Sequence, residues 1–84
     1  MKRVRIHPHA RERMEERGAT EEEVIETVRK GERFPVKFGR TGFRRNFPFD
    51  TLWRGKHYHT KQVEVYAVEE EDKIVVITVI VKYF

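Results

Sequence analysis

Apolar residues fall at two different spacings along this chain, and the change between them divides it in two. In the first third, Ala10 and Met14 lie four apart, and Val24, Ile25 and Val28 recur at three and four. That is the spacing that lines one side of an α-helix. Pro8 after His7 suits a helix start, because the N–H it lacks would be unpaired in the first turn anyway, so a helix is predicted over Pro8–Arg17. Gly18 ends it. Thr20, with Glu23 three residues on, forms a capping box for a second helix running to about Lys30 before Gly31. Both apolar stripes are narrow and need a sheet to cover.

After Arg33 the period falls to two, the signature of strands. Phe34, Val36 and Phe38 alternate with Pro35 and Lys37 as on a half-buried edge strand, and Gly39 to Gly42 supplies a turn into a strand over Phe43–Phe49. Asp50 to Lys56 reads as a loop. A strand over Tyr58–Val68 sets Val63, Val65 and Ala67 against Gln62, Glu64 and Tyr66, and the acidic run Glu69 to Asp72 turns the chain. The last strand, Lys73–Tyr83, is nearly all apolar, as expected for a central strand covered on both faces or by a partner. Strict alternation groups Val75, Ile77, Val79, Val81 and Tyr83 on one of its faces. Arg3–Ile6 is a short β-prone stub. The pattern predicts one α+β domain over residues 1–84, an N-terminal helical hairpin packed on an antiparallel β-meander of about four strands.

Charge changes this picture. The net formal charge is +4, but residues 29–61 alone sum to +8 while the segments before and after sum to −1 and −3. Phe34, Phe38, Phe43, Phe47, Phe49, Trp53 and Tyr58 are interleaved with those cations. A basic surface with intercalated aromatics suits phosphate neutralisation plus base stacking. Strand alternation with the rings in the core and the cations in solvent produces the same interleaving. There is no Cys, which excludes disulfides, thiolate nucleophiles and Cys-ligated zinc. The start MKRVRIHPHA has no apolar h-region, and the run Ile74 to Val81 is too short to span a membrane. A cytoplasmic protein with no membrane association is expected. Asn46 and Gln62 are the only side-chain amides among 38% charged residues, a bias common in thermophile proteins.

Two constellations carry candidate chemistry. His9, Arg13 and Arg17 stand four residues apart on the first helix, where the arginines can grip a phosphate and His9 can accept a proton. The bland alternative pairs Arg13 and Arg17 with nearby glutamates and leaves His9 to cap backbone. The second set lies on the sheet: Arg44, Arg45, His57, His59, Lys61, Lys82 and Tyr83. Cleavage of RNA through its 2′-hydroxyl needs a base, cations around the phosphorane and an acid for the leaving oxygen, and Lys and Arg can do the electrostatic part without metal. Lys82 and Tyr83 point to opposite faces of a regular strand, and Tyr83 also reads as a core edge residue. Arg40, Arg54 and Lys56 extend the basic set for nucleic-acid binding. His7-Pro8-His9 and His57-Tyr58-His59 form two HxH pairs, but nothing in the sequence makes them converge, so no metal and no cofactor is expected.

The stretches HARERMEERGAT and KQVEVYAVEEEDKIVVITVIVKYF, with the basic, aromatic GRTGFRRNF between them, resemble the prokaryotic family called domain of unknown function 4258, which looks like a branch of the RelE/ParE toxin superfamily. The resemblance spans essentially the whole chain. It implies a RelE-like fold and a metal-independent endoribonuclease that cleaves mRNA on the ribosome and is held inactive by a cognate antitoxin; ParE relatives instead target gyrase. In such toxins basic strand residues and a C-terminal tyrosine carry the chemistry, roles for which Lys61, Lys82 and Tyr83 are the similar residues here. The alternative is a noncatalytic domain that binds nucleic acid or a protein partner.

Overall fold

The computed structural model describes residues 2–84. The chain runs β1 (Arg3–Ile6), α1 (Pro8–Arg17), α2 (Glu21–Lys30), β2 (Glu32–Val36), β3 (Arg40–Trp53), β4 (Lys56–Glu69) and β5 (Lys73–Tyr83). The strands form one five-stranded sheet in the order β1-β5-β4-β3-β2. β1 runs parallel to β5, with Val4 beside Ile74 and Ile6 beside Val76, and the other pairings are antiparallel.

This corrects the expected helical hairpin on a four-stranded antiparallel meander. The stub Arg3–Ile6 becomes a fifth strand, and the His7 N–H extends its pairing by donating to the Val76 carbonyl at 2.9 Å. β5 thereby gains a neighbour on each side, which explains its nearly continuous apolar run. The helices do not pair off either: α1 lies on β5, and α2 on β4 and β3. Local sequence spacing carries no information on a strand pairing some seventy residues away.

The helix boundaries follow their capping chemistry. His7 Nδ1 accepts from the His9 N–H at 3.1 Å, with Pro8 following at the first helical position. Gly18 closes α1 in the left-handed region at φ 82°, and the Ala19 N–H returns to the Met14 carbonyl at 2.9 Å. At the start of α2 the Glu23 N–H donates to Thr20 Oγ1 at 3.1 Å and the Thr20 N–H to Glu23 Oε1 at 2.9 Å.

Both helices cover the same face of the sheet. Ala10, Met14, Ala19, Val24 and Val28 are buried there against Phe43, Val63, Val65, Ala67, Val76 and Val79. Two strand irregularities alter the expected alternation. Between the pairs Tyr66/Thr78 and Ala67/Val76 the extra residue Ile77 makes a bulge, which flips the register of sides along β5. Val76 and Val79 are consequently both in the core, and the single face expected for Val75, Ile77 and Val79 does not exist. In β3 the two residues Phe49 and Asp50 oppose His59 alone, and Asp50 sits at φ 45°.

The turns also moved. Gly42, expected in a turn, is a buried strand residue under the Phe34 ring, where a Cβ would meet ring carbon at 2.3 Å. The turn falls instead at Lys37 to Gly39, with Phe38 exposed at φ 65°. The expected loop Asp50 to Lys56 is largely strand, closed by the two-residue turn Arg54-Gly55 at φ 51° and 83°. β3 and β4 therefore make a long hairpin whose far end runs past the end of β5, in a molecule of 41 × 23 × 23 Å.

Candidate nucleic-acid interface

The far end of the β3–β4 hairpin folds back toward the end of α1 and gathers three aromatic rings around Tyr83. Trp53 stacks on Tyr83 with centroids 5.0 Å apart and planes 14° from parallel; Phe49 and Tyr58 approach the same ring at 5.2 and 5.6 Å. Three cations lie over these rings: Arg54 over Trp53, Lys56 over Tyr58 and Lys61 over Phe49, each within 5.4 Å of a centroid. A shallow recess of about 140 Å³ opens beside them, lined by Glu16, Arg17, Trp53, Arg54, Val81 and Tyr83.

Beneath this surface the carbonyls that end α1 are satisfied by side chains from the sheet. Tyr83 Oη donates to the Arg17 carbonyl at 2.7 Å. Burial, with the charge of Glu23, pushes the Tyr83 hydroxyl pKa up. Lys61 is only 6% exposed; its ammonium donates to the Gly18 carbonyl at 2.6 Å and to both Glu23 carboxylate oxygens at 2.9 and 3.2 Å. A cation at the C-terminal end of α1 also suits the helix dipole. Arg17 reaches back over β5 to the Val79 carbonyl at 2.6 Å.

The proposed catalytic residues are thus only partly together. Lys61 and Tyr83 are cross-strand neighbours and converge on Arg17 and Gly18. Lys82 is exposed on the other face of the sheet, opposite Gln62. His9 is exposed in the first turn of α1, about 12 Å along the helix from Arg17.

The expected nucleic-acid-binding residues divide among several surfaces. Arg13 pairs with Glu16 at 2.8 Å, and Arg54 donates to the Glu16 carbonyl at 3.1 Å, so both border the aromatic end with Arg17 and Lys56. Arg45 lies over Phe47 and 4.0 Å from Glu26, its Nε buried without a partner. Arg40 is exposed at the β2–β3 turn. Arg44 is on the uncovered face, bound to Glu64 at 2.8 Å and Glu32 at 3.0 Å and stacked over Phe34. Burial alone would raise the Glu64 pKa, but hydrogen bonds from Arg44 and Tyr66 outweigh it and hold the carboxyl below its ordinary value. Several of the cations expected to form one basic surface are neutralised locally, as are Arg33 by Glu69 and Lys61 by Glu23.

Trp53, Phe49 and Tyr58 were legible as aromatics but not as a cluster, because Asp50 to Lys56 read as a loop. Asp50 was missed altogether. Its carboxylate lies 3.0 Å from His57 Nε2 and 3.3 Å from His59 Nδ1. These three make up the group of potential metal ligands found among the described residues, and the His7/His9 pair is not part of it.

A family model, Domain of unknown function (DUF4258), matches residues 6–81. The chain belongs to that family. No curated protein and no solved structure matches it. No helix of this DUF4258 domain is long and apolar enough to cross a membrane, among the described residues.

Proposed function

We propose that this DUF4258 domain binds single-stranded nucleic acid, RNA foremost, at the aromatic end of the β3–β4 hairpin, without cleaving it. Stacking rings and cations there serve the two sequence-tolerant terms of such binding. The observation that carries the reading is the engagement of Lys61 and Tyr83: the lysine is buried against Glu23 and Gly18, and the tyrosine is bound to Arg17. Groups spent on holding helix ends are not free to meet a substrate, whereas Trp53, Arg54 and Lys56 remain partly or fully at the surface.

The chain has one tryptophan, so its emission reports on this site directly. Titration with a labelled single-stranded RNA is expected to quench Trp53 and raise anisotropy in a salt-dependent way, and Trp53→Ala is expected to weaken binding roughly 5- to 150-fold. Unchanged emission and anisotropy at low salt defeat the proposal.

A second reading, a RelE-like metal-independent mRNA endoribonuclease paired with an antitoxin, draws on the convergence of Lys61, Tyr83 and Arg17 beside the recess. It requires Lys61 to leave Glu23. RNA incubated with the domain and yielding fragments with cyclic phosphate ends would favour it over binding alone.

A further inference from the structure

The geometry points to a divalent transition-metal site, zinc foremost, built by Asp50, His57 and His59 on the β3–β4 hairpin. The sequence placed His57 and His59 two apart on a strand and offered His7 and His9 as their partners, with nothing to make the two pairs converge. The fold supplies a third ligand instead. The bulge opposite His59, with Asp50 in the left-handed region at φ 45°, swings the carboxylate across to both imidazoles. Asp tolerates that backbone region better than most residues.

The distances suit a shared ion. In tetrahedral zinc with bonds of about 2.0–2.1 Å, neighbouring donor atoms stand about 3.3 Å apart. Asp50 Oδ1 is 3.0 Å from His57 Nε2 and 3.3 Å from His59 Nδ1, and one donor atom from each of the three lies within 4.8 Å of the others. The rings of His57 and His59 meet edge to face with centroids 5.0 Å apart, so both imidazoles lie beside the one carboxylate. Two imidazoles and one carboxylate favour zinc and other late first-row ions over magnesium or calcium, which prefer all-oxygen shells. All three residues are exposed, so the remaining coordination position faces solvent and takes water or an anionic oxygen. The competing pair, His7 and His9, is less available: His7 Nδ1 already accepts the His9 N–H at the start of α1.

The inference does not depend on nucleic-acid binding. It is tested on the full chain, stripped with chelator and titrated with Co²⁺ and then Zn²⁺, reading visible Co²⁺ absorption and calorimetric stoichiometry. One ion per chain is expected, with a Zn²⁺-dependent rise in melting temperature. His59→Ala and Asp50→Asn should each weaken uptake at least tenfold; the Asn keeps the tolerance for left-handed backbone and the shape of the carboxylate while losing its charge. His7→Ala should bind like the parent chain. Circular dichroism of each variant establishes that it is folded. Absence of stoichiometric uptake overturns the site, leaving Asp50 as a hydrogen-bond acceptor for two histidines. Uptake unchanged in folded His59→Ala, or lost in His7→Ala, overturns it equally.

Discussion

Lys61 Nζ lies 2.6 Å from the carbonyl oxygen of Gly18, forty-three residues earlier in the chain. One buried ammonium on β4 therefore closes the end of α1, and through Glu23 it also holds the start of α2. Removing it leaves a carboxylate and a helix-end carbonyl short of a partner. Lys61→Met is expected to destabilise the domain by about 3 kcal/mol, the order found when one partner of a buried ion pair is lost. Urea denaturation measures this. RNA affinity per folded molecule should stay within about twofold, because the group is not at the surface; a selective loss of RNA cutting with stability intact would instead make Lys61 catalytic.

Gly18 is held by two independent constraints. Its φ of 82° disfavours any side chain, and a Cβ there would stand 2.5 Å from Tyr83 Oη and 2.7 Å from the Trp53 ring. Gly18→Ala should cost about 2 kcal/mol and push Trp53 off Tyr83, visible as a shift in tryptophan emission together with a lower denaturation midpoint. An unchanged emission spectrum would mean that the stack does not rest on this close approach.

Glu64 ties stability to pH. It is 6% exposed and accepts hydrogen bonds from Arg44 at 2.8 Å and Tyr66 at 3.0 Å. Its carboxyl is held below the ordinary glutamate value although burial alone would raise it. A lowered folded-state pKa contributes stability above the unfolded-state value, and that contribution disappears as pH falls through the folded one. Glu64→Gln should therefore be less stable than the parent at pH 7, with the gap shrinking as pH is lowered from 7 through the ordinary glutamate value of about 4.3 and on toward the lower folded-state value. Urea midpoints across that range check it; a gap that does not change with pH would assign the effect to packing instead of charge.

Much of the local structure was legible. Helix ends at Pro8, Arg17 and Lys30 follow from Pro, Gly and capping-box chemistry, which acts over three or four residues. The β3–β4 hairpin end reads as a loop from the sequence because Asp50 and Gly55 each suggest a break, and only cross-strand pairing shows that a bulge and a two-residue turn absorb them. The site suffered most from this. Asp50 meets His57 and His59, and Trp53 meets Tyr83, only once the hairpin is extended and folded back.

The order of residues alone determined the helices, the cores of the strands but not the ends of β3 and β4, the clustering of positive charge in the middle of the chain and the lack of cysteine chemistry, since each depends on near neighbours or on composition. Tertiary structure decided the fifth, parallel strand, the flipped side of β5 at Ile77, the engagement of Lys61 and Tyr83 with the end of α1, and the dispersal of the cations. Those depend on which distant strand a segment pairs with, and in a sheet one inserted residue moves every following side chain to the opposite face.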